Sequence, residues 1–148
     1  MEIKFRGKIK YNGNHRFSGD WVYGYYLYDQ NTEIHYIKEN DDVDGLGTSF
    51  EVIPESVGQF TGLKDSYDVD VYLGDVLDLH QTVNGINLFS VFYDESKARF
   101  SIRYYTNRMK VRDYEYSVSG FFKRCEISDE VDYEVIGNII DNKELLDA

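Results

Sequence analysis

Apolar and polar side chains alternate along much of this chain. Near its start, Ile3, Phe5 and Ile9 alternate with a series of Lys and Arg residues. A two-residue period is typical of a β-strand with one buried and one exposed face. Short segments of this kind, separated by polar turns, continue along the chain. They predict strands over residues 2–10, 21–28, 33–38, 50–53, 69–73, 75–81, 87–93, 98–105, 110–118 and 131–140.

The turns between these segments favour antiparallel pairing. Asn84-Gly85 lies between two extended segments and predicts a type I′ hairpin turn. Only residues 143–146 have a helical pattern. No repeat or flexible linker divides the chain, so we predict a single domain over residues 1–148. The expected fold is all-β and mainly antiparallel, a small barrel or a sandwich with a short C-terminal helical turn. A partial barrel joined to a second small sheet is the alternative.

Composition agrees with a strand-rich protein. The chain has 14 Tyr and 9 Phe, whereas Ala occurs only at Ala98 and Ala148. Aromatic and β-branched residues favour strands, and Ala favours helices. A single cysteine, Cys125, cannot form an intrachain disulfide. The sequence shows neither a signal-peptide pattern nor an apolar segment long enough to span a bilayer. We therefore expect a cytoplasmic protein that does not bind membranes.

Charge is unevenly distributed along the chain. Lys and Arg number 16 and Asp and Glu 27, for a formal net charge of −11. Residues 1–16 and 97–124 are net basic, whereas residues 17–96 and 125–148 are net acidic. Oppositely charged segments attract one another within a fold or between subunits. This pattern predicts a homo-oligomer or a complex with another protein.

The acidic segment at residues 40–51 resembles a calcium-binding loop. Asn40, Asp42, Asp44 and Glu51 occupy ligand positions, and Gly45 occupies the turn position. However, the first ligand is Asn rather than Asp, and strands rather than helices are predicted on both sides. A solvated acidic turn is the alternative interpretation.

A second candidate site combines basic and aromatic residues. In the predicted strand at 98–105, Arg99, Arg103 and Tyr105 share one face, and Lys110 and Arg112 follow on the next strand. Such a face could hold phosphates while bases stack on its rings. The alternative is a solvated face whose cations pair with the acidic segments, because a chain of charge −11 repels nucleic acid. A further variant is an acidic surface that imitates DNA and occupies a DNA-binding protein.

The sequence contains no recognisable catalytic constellation. His15, His35 and His80 are scattered and lack metal-ligand spacing. No nucleophile elbow, phosphate-binding loop or zinc motif is present. We therefore predict a non-catalytic protein with no cofactor and no small-molecule substrate.

Several short motifs, in order along the chain, resemble the YopX family of bacteriophage and prophage proteins. The most specific is Val-Gly-Gln-Phe-Thr-Gly-Leu-Lys-Asp at residues 57–65. The others lie at residues 5–8, 21–25, 72–76, 134–138 and 142–146. The resemblance implies a small phage-encoded β-rich protein acting in the bacterial cytoplasm, and it brings no catalytic residues. The sequence differs from the family at residues 66–70, where the family has an Asn-Gly turn, and at Lys143, where it has Pro.

We expect the motif residues to serve the fold. Glycines would permit tight turns, Trp21 and Phe60 would anchor a core, and Gly137 would form a bulge. The motif positions assigned in this way are Trp21, Gly24, Gly58, Gln59, Thr61, Gly62, Gly74, Asp75 and Gly137. The predicted function is a phage-encoded interaction or assembly module that binds itself or a host or phage protein. Nucleic-acid binding in phage replication or regulation is the alternative.

Overall fold

The structure is a computed structural model and describes residues 2–11, 19–39, 48–83, 86–106, 109–117 and 132–145. It confirms the predicted all-β, mainly antiparallel class. The strands are β1 (Phe5–Lys8), β2 (Trp21–Asp29), β3 (Ile34–Glu39), β4 (Ser49–Glu51), β5 (Gly58–Lys64), β6 (Asp70–Tyr72), β7 (Asp75–Val83), β8 (Ile86–Asp94), β9 (Arg99–Thr106), β10 (Met109–Ser117) and β11 (Glu134–Asn138). Two 3₁₀ turns, at Pro54–Ser56 and Lys143–Leu145, accompany them.

The described strands form two open antiparallel sheets. One contains β4-β3-β2-β1-β5 in that order, with β6 beside β5, and the other has the order β10-β9-β8-β7-β11. The described strands form no closed barrel; a barrel-like fold was one of the two architectures that the sequence predicted. Closure needs edge strands long enough to continue the hydrogen-bonded ladder. The edge strands β4 and β6 of the first sheet have only three residues each.

The chain forms two compact units, residues 1–60 (unit 1) and 61–148 (unit 2), with the boundary inside β5. The single domain predicted from the sequence stays a prediction. In unit 1, β2 is a central strand, paired with β1 on one side and with β3 on the other. The unit 1 core lies on one face of these strands and consists of Ile9, Val22, Ile37 and Val52, flanked by Phe5, Tyr26, Phe50 and Val57.

Unit 2 is built on the predicted meander from β7 to β10. The predicted turn at Asn84-Gly85 lies outside the described residues, but Val83 and Ile86 pair on either side of it. Apolar residues at alternate positions of β7, β8 and β9 form the centre of a second core. This core consists of Val71, Leu77, Leu79, Phe89, Val91, Ile102, Tyr104 and Tyr133.

Candidate functional site

A row of large side chains points outward from β2. Val22 is in the core of unit 1, and the residues that alternate with it face the other way. Tyr23 is 49% exposed, Tyr25 56% and Leu27 47%, while Trp21 at the start of the row is half-buried. β2 pairs with β1 over residues 21–24 and with β3 over residues 24–29, so each part of the strand is held by a neighbour while its outward side chains remain exposed.

Each outward aromatic residue of β2 has a cation directly opposite it on a neighbouring strand. Trp21 pairs with Lys8 and Tyr23 with Arg6 on β1, whereas Tyr25 pairs with Lys38 on β3. Directly paired residues project their side chains from the same face of a sheet. We call this surface the aromatic–basic face; it consists of Arg6, Lys8, Trp21, Tyr23, Tyr25 and Lys38.

The cations of this face have different environments. The Arg6 guanidinium lies over the Trp21 ring, 4.8 Å from its centroid, and only 7% of Arg6 is exposed. A cation over an aromatic ring is attracted by the electron-rich ring face. Arg6 therefore orients Trp21. Lys8 and Lys38 are half-buried, so part of each side chain is accessible to a partner.

A close approach of two strands positions the middle of this face. Gly24 lies between Tyr23 and Tyr25 and pairs with Glu39 of β3. A Cβ atom at Gly24 would overlap the carbonyl oxygen of Lys38 and lie 3.0 Å from the Cα of Glu39. Only glycine lets β2 and β3 approach this closely, and the approach places Tyr25 opposite Lys38.

On the same face of the sheet, the carboxylates at strand positions lie away from the three cations, near the end of β2. Glu51 of β4 is opposite Tyr36, which is itself opposite Leu27. Asp29 ends β2, and the backbone N–H of Asn31 donates a 2.9 Å hydrogen bond to its Oδ1. That hydrogen bond is the main cause that lowers the pKa of the Asp29 carboxyl below its ordinary value. The cations thus cluster near Trp21, Tyr23 and Tyr25.

Of the predicted nucleic-acid residues on β9, Tyr105 is buried, and Arg99 and Arg103 are half-buried. Tyr105 is 8% exposed, and its hydroxyl lies 3.3 Å from the Oγ of Ser90. The Arg103 guanidinium lies 4.1 Å from the centroid of the Phe92 ring. Arg99 Nε donates a 3.1 Å hydrogen bond to Ser101 Oγ. Tyr105 therefore offers little ring surface for a base to stack on.

Lys110 and Arg112 lie on β10, and only their backbone positions are described. Lys110 pairs with Tyr105 and Arg112 pairs with Tyr104, with a register shift between the two pairs. The prediction assumed regular alternation along both strands. The shift interrupts that alternation, and nucleic-acid binding by these residues stays a prediction.

Most of the predicted calcium loop lies outside the described residues. Asn40, Asp42 and Asp44 belong to the undescribed segment, and Glu51 lies on β4. Among the described residues, no group of three or more His, Cys, Asp or Glu side chains could hold a metal ion.

The motif residues at the start of unit 2 fix the backbone around β5, β6 and β7. The Thr61 hydroxyl donates a 2.8 Å hydrogen bond to the carbonyl of Val71. Gly62 and Gly74 both have positive φ, 85° and 92°, which favours glycine. Asp75 follows Gly74 and accepts a 2.7 Å hydrogen bond from the backbone N–H of Tyr72.

The other motif residues lie at strand pairings. Gly58 and Gln59 pair with Arg6 and Phe5 at the start of β5. At Gly137 the pairing of β11 with β7 shifts register, where a bulge was predicted. Phe60 is buried, as expected, whereas Trp21 is half-buried on the face opposite the unit 1 core.

Two of the three histidines are described, and both contact other polar side chains. His35 Nδ1 lies 2.5 Å from the Tyr26 hydroxyl in unit 1. Burial, with a smaller effect of Tyr28, raises the pKa of Tyr26. In unit 2, His80 Nε2 lies 2.5 Å from Glu134 Oε2, an ion pair between β7 and β11 when the ring is protonated. His15 lies outside the described residues.

The aromatic–basic face was not predicted as a site. The sequence shows its two components, basic residues at alternate positions up to Lys8 and aromatic residues at alternate positions from Trp21. Neither pattern reveals that β1 pairs with β2, nor that the register places Lys8 opposite Trp21. The available signal was that Trp21, Tyr23 and Tyr25 share one side of a strand whose other side already supplies the core.

Comparison with known proteins identifies the family. In the part of the chain that the structure describes, no helix has the length and apolar character needed to cross a membrane. Among curated proteins, no relative gives a significant match. The family model described as YopX protein matches residues 4–147, nearly the whole chain. The chain therefore belongs to the YopX protein family.

Proposed function

We propose that this protein is a non-catalytic interaction module whose contact surface is the aromatic–basic face of unit 1. The observation that supports this is the outward row on β2, where Tyr23, Tyr25 and Leu27 are each about half exposed. Folded proteins expose single apolar residues routinely, but adjacent large ones mark interaction surfaces more often.

The residue types fit a binding role. Tyr, Trp and Arg are enriched among the residues that dominate binding energy, because they combine large apolar area with a polar group. Trp21 is already held by Arg6, so little of its freedom remains to be lost on binding. A central strand is also a rigid support for such residues.

The candidate partners are a second copy of the chain, a host or phage protein, or a nucleic acid. The supporting pattern is electrostatic, because the basic cluster lies on a chain of net charge −11. Oppositely charged surfaces accelerate association and select the partner. Head-to-tail contact between copies would let this cluster meet acidic residues of the other copy, whereas face-to-face contact would bring cations together.

Site-specific photo-cross-linking in bacterial cells tests the proposal. A benzophenone amino acid replaces Tyr25 in one variant and Tyr93 in a control, since Tyr93 of unit 2 is also about half exposed. We expect discrete adducts from position 25 and none of comparable yield from position 93. Equal labelling at both positions, or no adduct at position 25, would contradict the proposal. Nuclease treatment of the adducts separates protein from nucleic-acid partners.

A further inference from the structure

We infer that the ligand of the aromatic–basic face is single-stranded nucleic acid. This inference rests on the proposed function, since it names the partner of the same surface. It differs from the site predicted on β9 and β10, because it uses Trp21, Tyr23 and Tyr25 as stacking residues and Lys8 and Lys38 as phosphate contacts. Three features of the face lead to it.

The first feature is the spacing of the aromatic residues. Residues two apart on a strand are separated by about 6.8 Å, twice the rise per residue. This is about twice the 3.4 Å separation of stacked bases in a duplex. Bases of an extended single strand can therefore reach successive side chains on β2, whereas bases stacked within a duplex cannot.

The second feature is the position of the cations. Neighbouring strands lie about 4.8 Å apart, so Lys8 and Lys38 flank the aromatic row at close range on opposite sides. A single strand that crosses the row obliquely, from the Lys8 side at Trp21 to the Lys38 side at Tyr25, has a phosphate within reach of each lysine. Proteins that bind single strands combine base stacking with cations along the backbone in this way.

The third feature is the local concentration of positive charge. The net charge of −11 opposes binding at long range. At physiological salt, however, charges more than about 8 Å apart are largely screened. Lys8 and Lys38 lie next to the aromatic row, within this screening length of a phosphate bound there. An acidic protein segment would also be attracted to these cations, but it would not use the stacking surface.

The protein contains its own reporter, because its only tryptophan is Trp21. We would titrate the full-length protein with the oligonucleotide dT12 and follow Trp21 fluorescence. We expect saturable quenching, since a stacked base quenches indole emission. With only two or three phosphates contacted, the log-log salt dependence should have a slope of about −1 to −2. A blunt DNA duplex and a poly-glutamate peptide serve as comparison ligands, and both should bind more weakly than dT12.

Variants on the two faces of β2 provide a matched comparison. Tyr25→Ser removes one stacking ring and should weaken dT12 binding at least about 5-fold. Tyr28→Ser is the control, because Tyr28 is 46% exposed on the opposite face of the same strand. Lys8→Gln should reduce the salt slope by about 0.7. Circular dichroism verifies that each variant is folded.

The possible outcomes separate this inference from the proposed function. Quenching by dT12 that depends on Tyr25 and not on Tyr28 supports nucleic-acid binding. Absence of quenching at 50 mM salt, equal weakening by both tyrosine variants, or tighter binding of poly-glutamate overturns it. If dT12 fails but position 25 still gives nuclease-resistant adducts, only this inference is wrong. If neither is seen, the proposed function is wrong as well.

Discussion

The carboxylate of Asp65 accepts a 2.9 Å hydrogen bond from the backbone N–H of Val135, a residue 70 positions later in the sequence. Its other oxygen accepts hydrogen bonds from the N–H groups of Tyr67 and Val69, both at 2.9 Å. Asp65 ends the most specific YopX motif in the chain. One buried side chain therefore shapes the turn after β5 and joins it to β11.

Replacement of Asp65 should destabilise unit 2. Asp65→Ala removes the acceptor of three partly buried hydrogen bonds, and we expect a loss of about 2–4 kcal/mol in the free energy of unfolding. Asp65→Asn should cost less, because the amide oxygen still accepts hydrogen bonds. Some cost remains, because the amide NH₂ group then faces an N–H donor. Urea denaturation followed by far-UV circular dichroism measures both. Changes below about 0.5 kcal/mol in both variants would contradict a structural role.

Gly24→Ala should destabilise unit 1. The added methyl group would overlap the carbonyl oxygen of Lys38, so β2 and β3 would have to separate. Overpacking of this kind costs about 1–3 kcal/mol. Trp21 lies three residues away and reports the change through its fluorescence during denaturation. An unchanged denaturation midpoint would contradict this prediction, because the strands would then accommodate the methyl group without loss of stability.

Ala98→Gly should stabilise the protein. Ala98 lies in the turn between β8 and β9 and has a φ of 50°, which is unfavourable for a residue with a Cβ atom. Glycine removes this strain but gains freedom in the unfolded chain, so we expect a net gain of about 0.5–1 kcal/mol in thermal or chemical unfolding. Lys97→Gly in the same turn is the control. It should not stabilise, since Lys97 is not among the residues with positive φ.

The pKa of Asp94 should be lower than that of an ordinary aspartate. The Ser96 hydroxyl donates a 2.6 Å hydrogen bond to Asp94 Oδ1, and this is the main cause of the lowered pKa. A carboxyl whose pKa is lower in the folded than in the unfolded chain stabilises the fold above its unfolded pKa. That contribution is lost as the pH falls through the folded pKa.

Ser96→Ala tests this assignment. NMR titration of the side-chain carboxyl carbons should show the pKa of Asp94 rising toward its ordinary value. Asp29 provides an internal control, because the backbone of Asn31 lowers its pKa and the substitution leaves that turn unchanged. If the pKa of Asp94 does not move, another group determines it.

The turn after Asp65 shows how a departure from the family pattern is accommodated. This chain has Ser66 to Asp70 where the family has an Asn-Gly turn. The structure places Asp68 at a φ of 68°, a conformation that glycine adopts easily and that Asp tolerates better than most residues. A salt bridge of 3.5 Å joins Asp68 to Lys64 across the turn. Asp68 therefore supplies a left-handed position in this turn without a glycine.

The positions of most strands were predictable because the two-residue period is a local property, although β5 (Gly58–Lys64) was not among the predicted strands. The segments predicted at 21–28 and 98–105 correspond to β2 and β9 within one or two residues at each end. The helical turn predicted at 143–146 is a 3₁₀ turn at Lys143–Leu145. Local backbone preference and alternation determine such elements before any distant residue is in contact.

The exposure of a strand face was not predictable from alternation. The period separates two faces, but it does not state which of them a neighbouring part of the chain covers. On β9 both Tyr104 and Tyr105 are buried, although they face opposite ways. The side predicted to be open is therefore largely covered at Tyr105. On β2 a face expected to be covered is open. Trp21 was expected in a core, but Tyr23 and Tyr25 on the same face are about half exposed.

By itself, the sequence determined that this is an antiparallel β protein, where most of its strands lie, and which residues can alternate on a face. Only the tertiary structure decided that Lys8 lies opposite Trp21, Arg6 opposite Tyr23 and Lys38 opposite Tyr25. Strand pairing and register depend on contacts between residues far apart in the chain, whose free energy exists only once the sheet has formed.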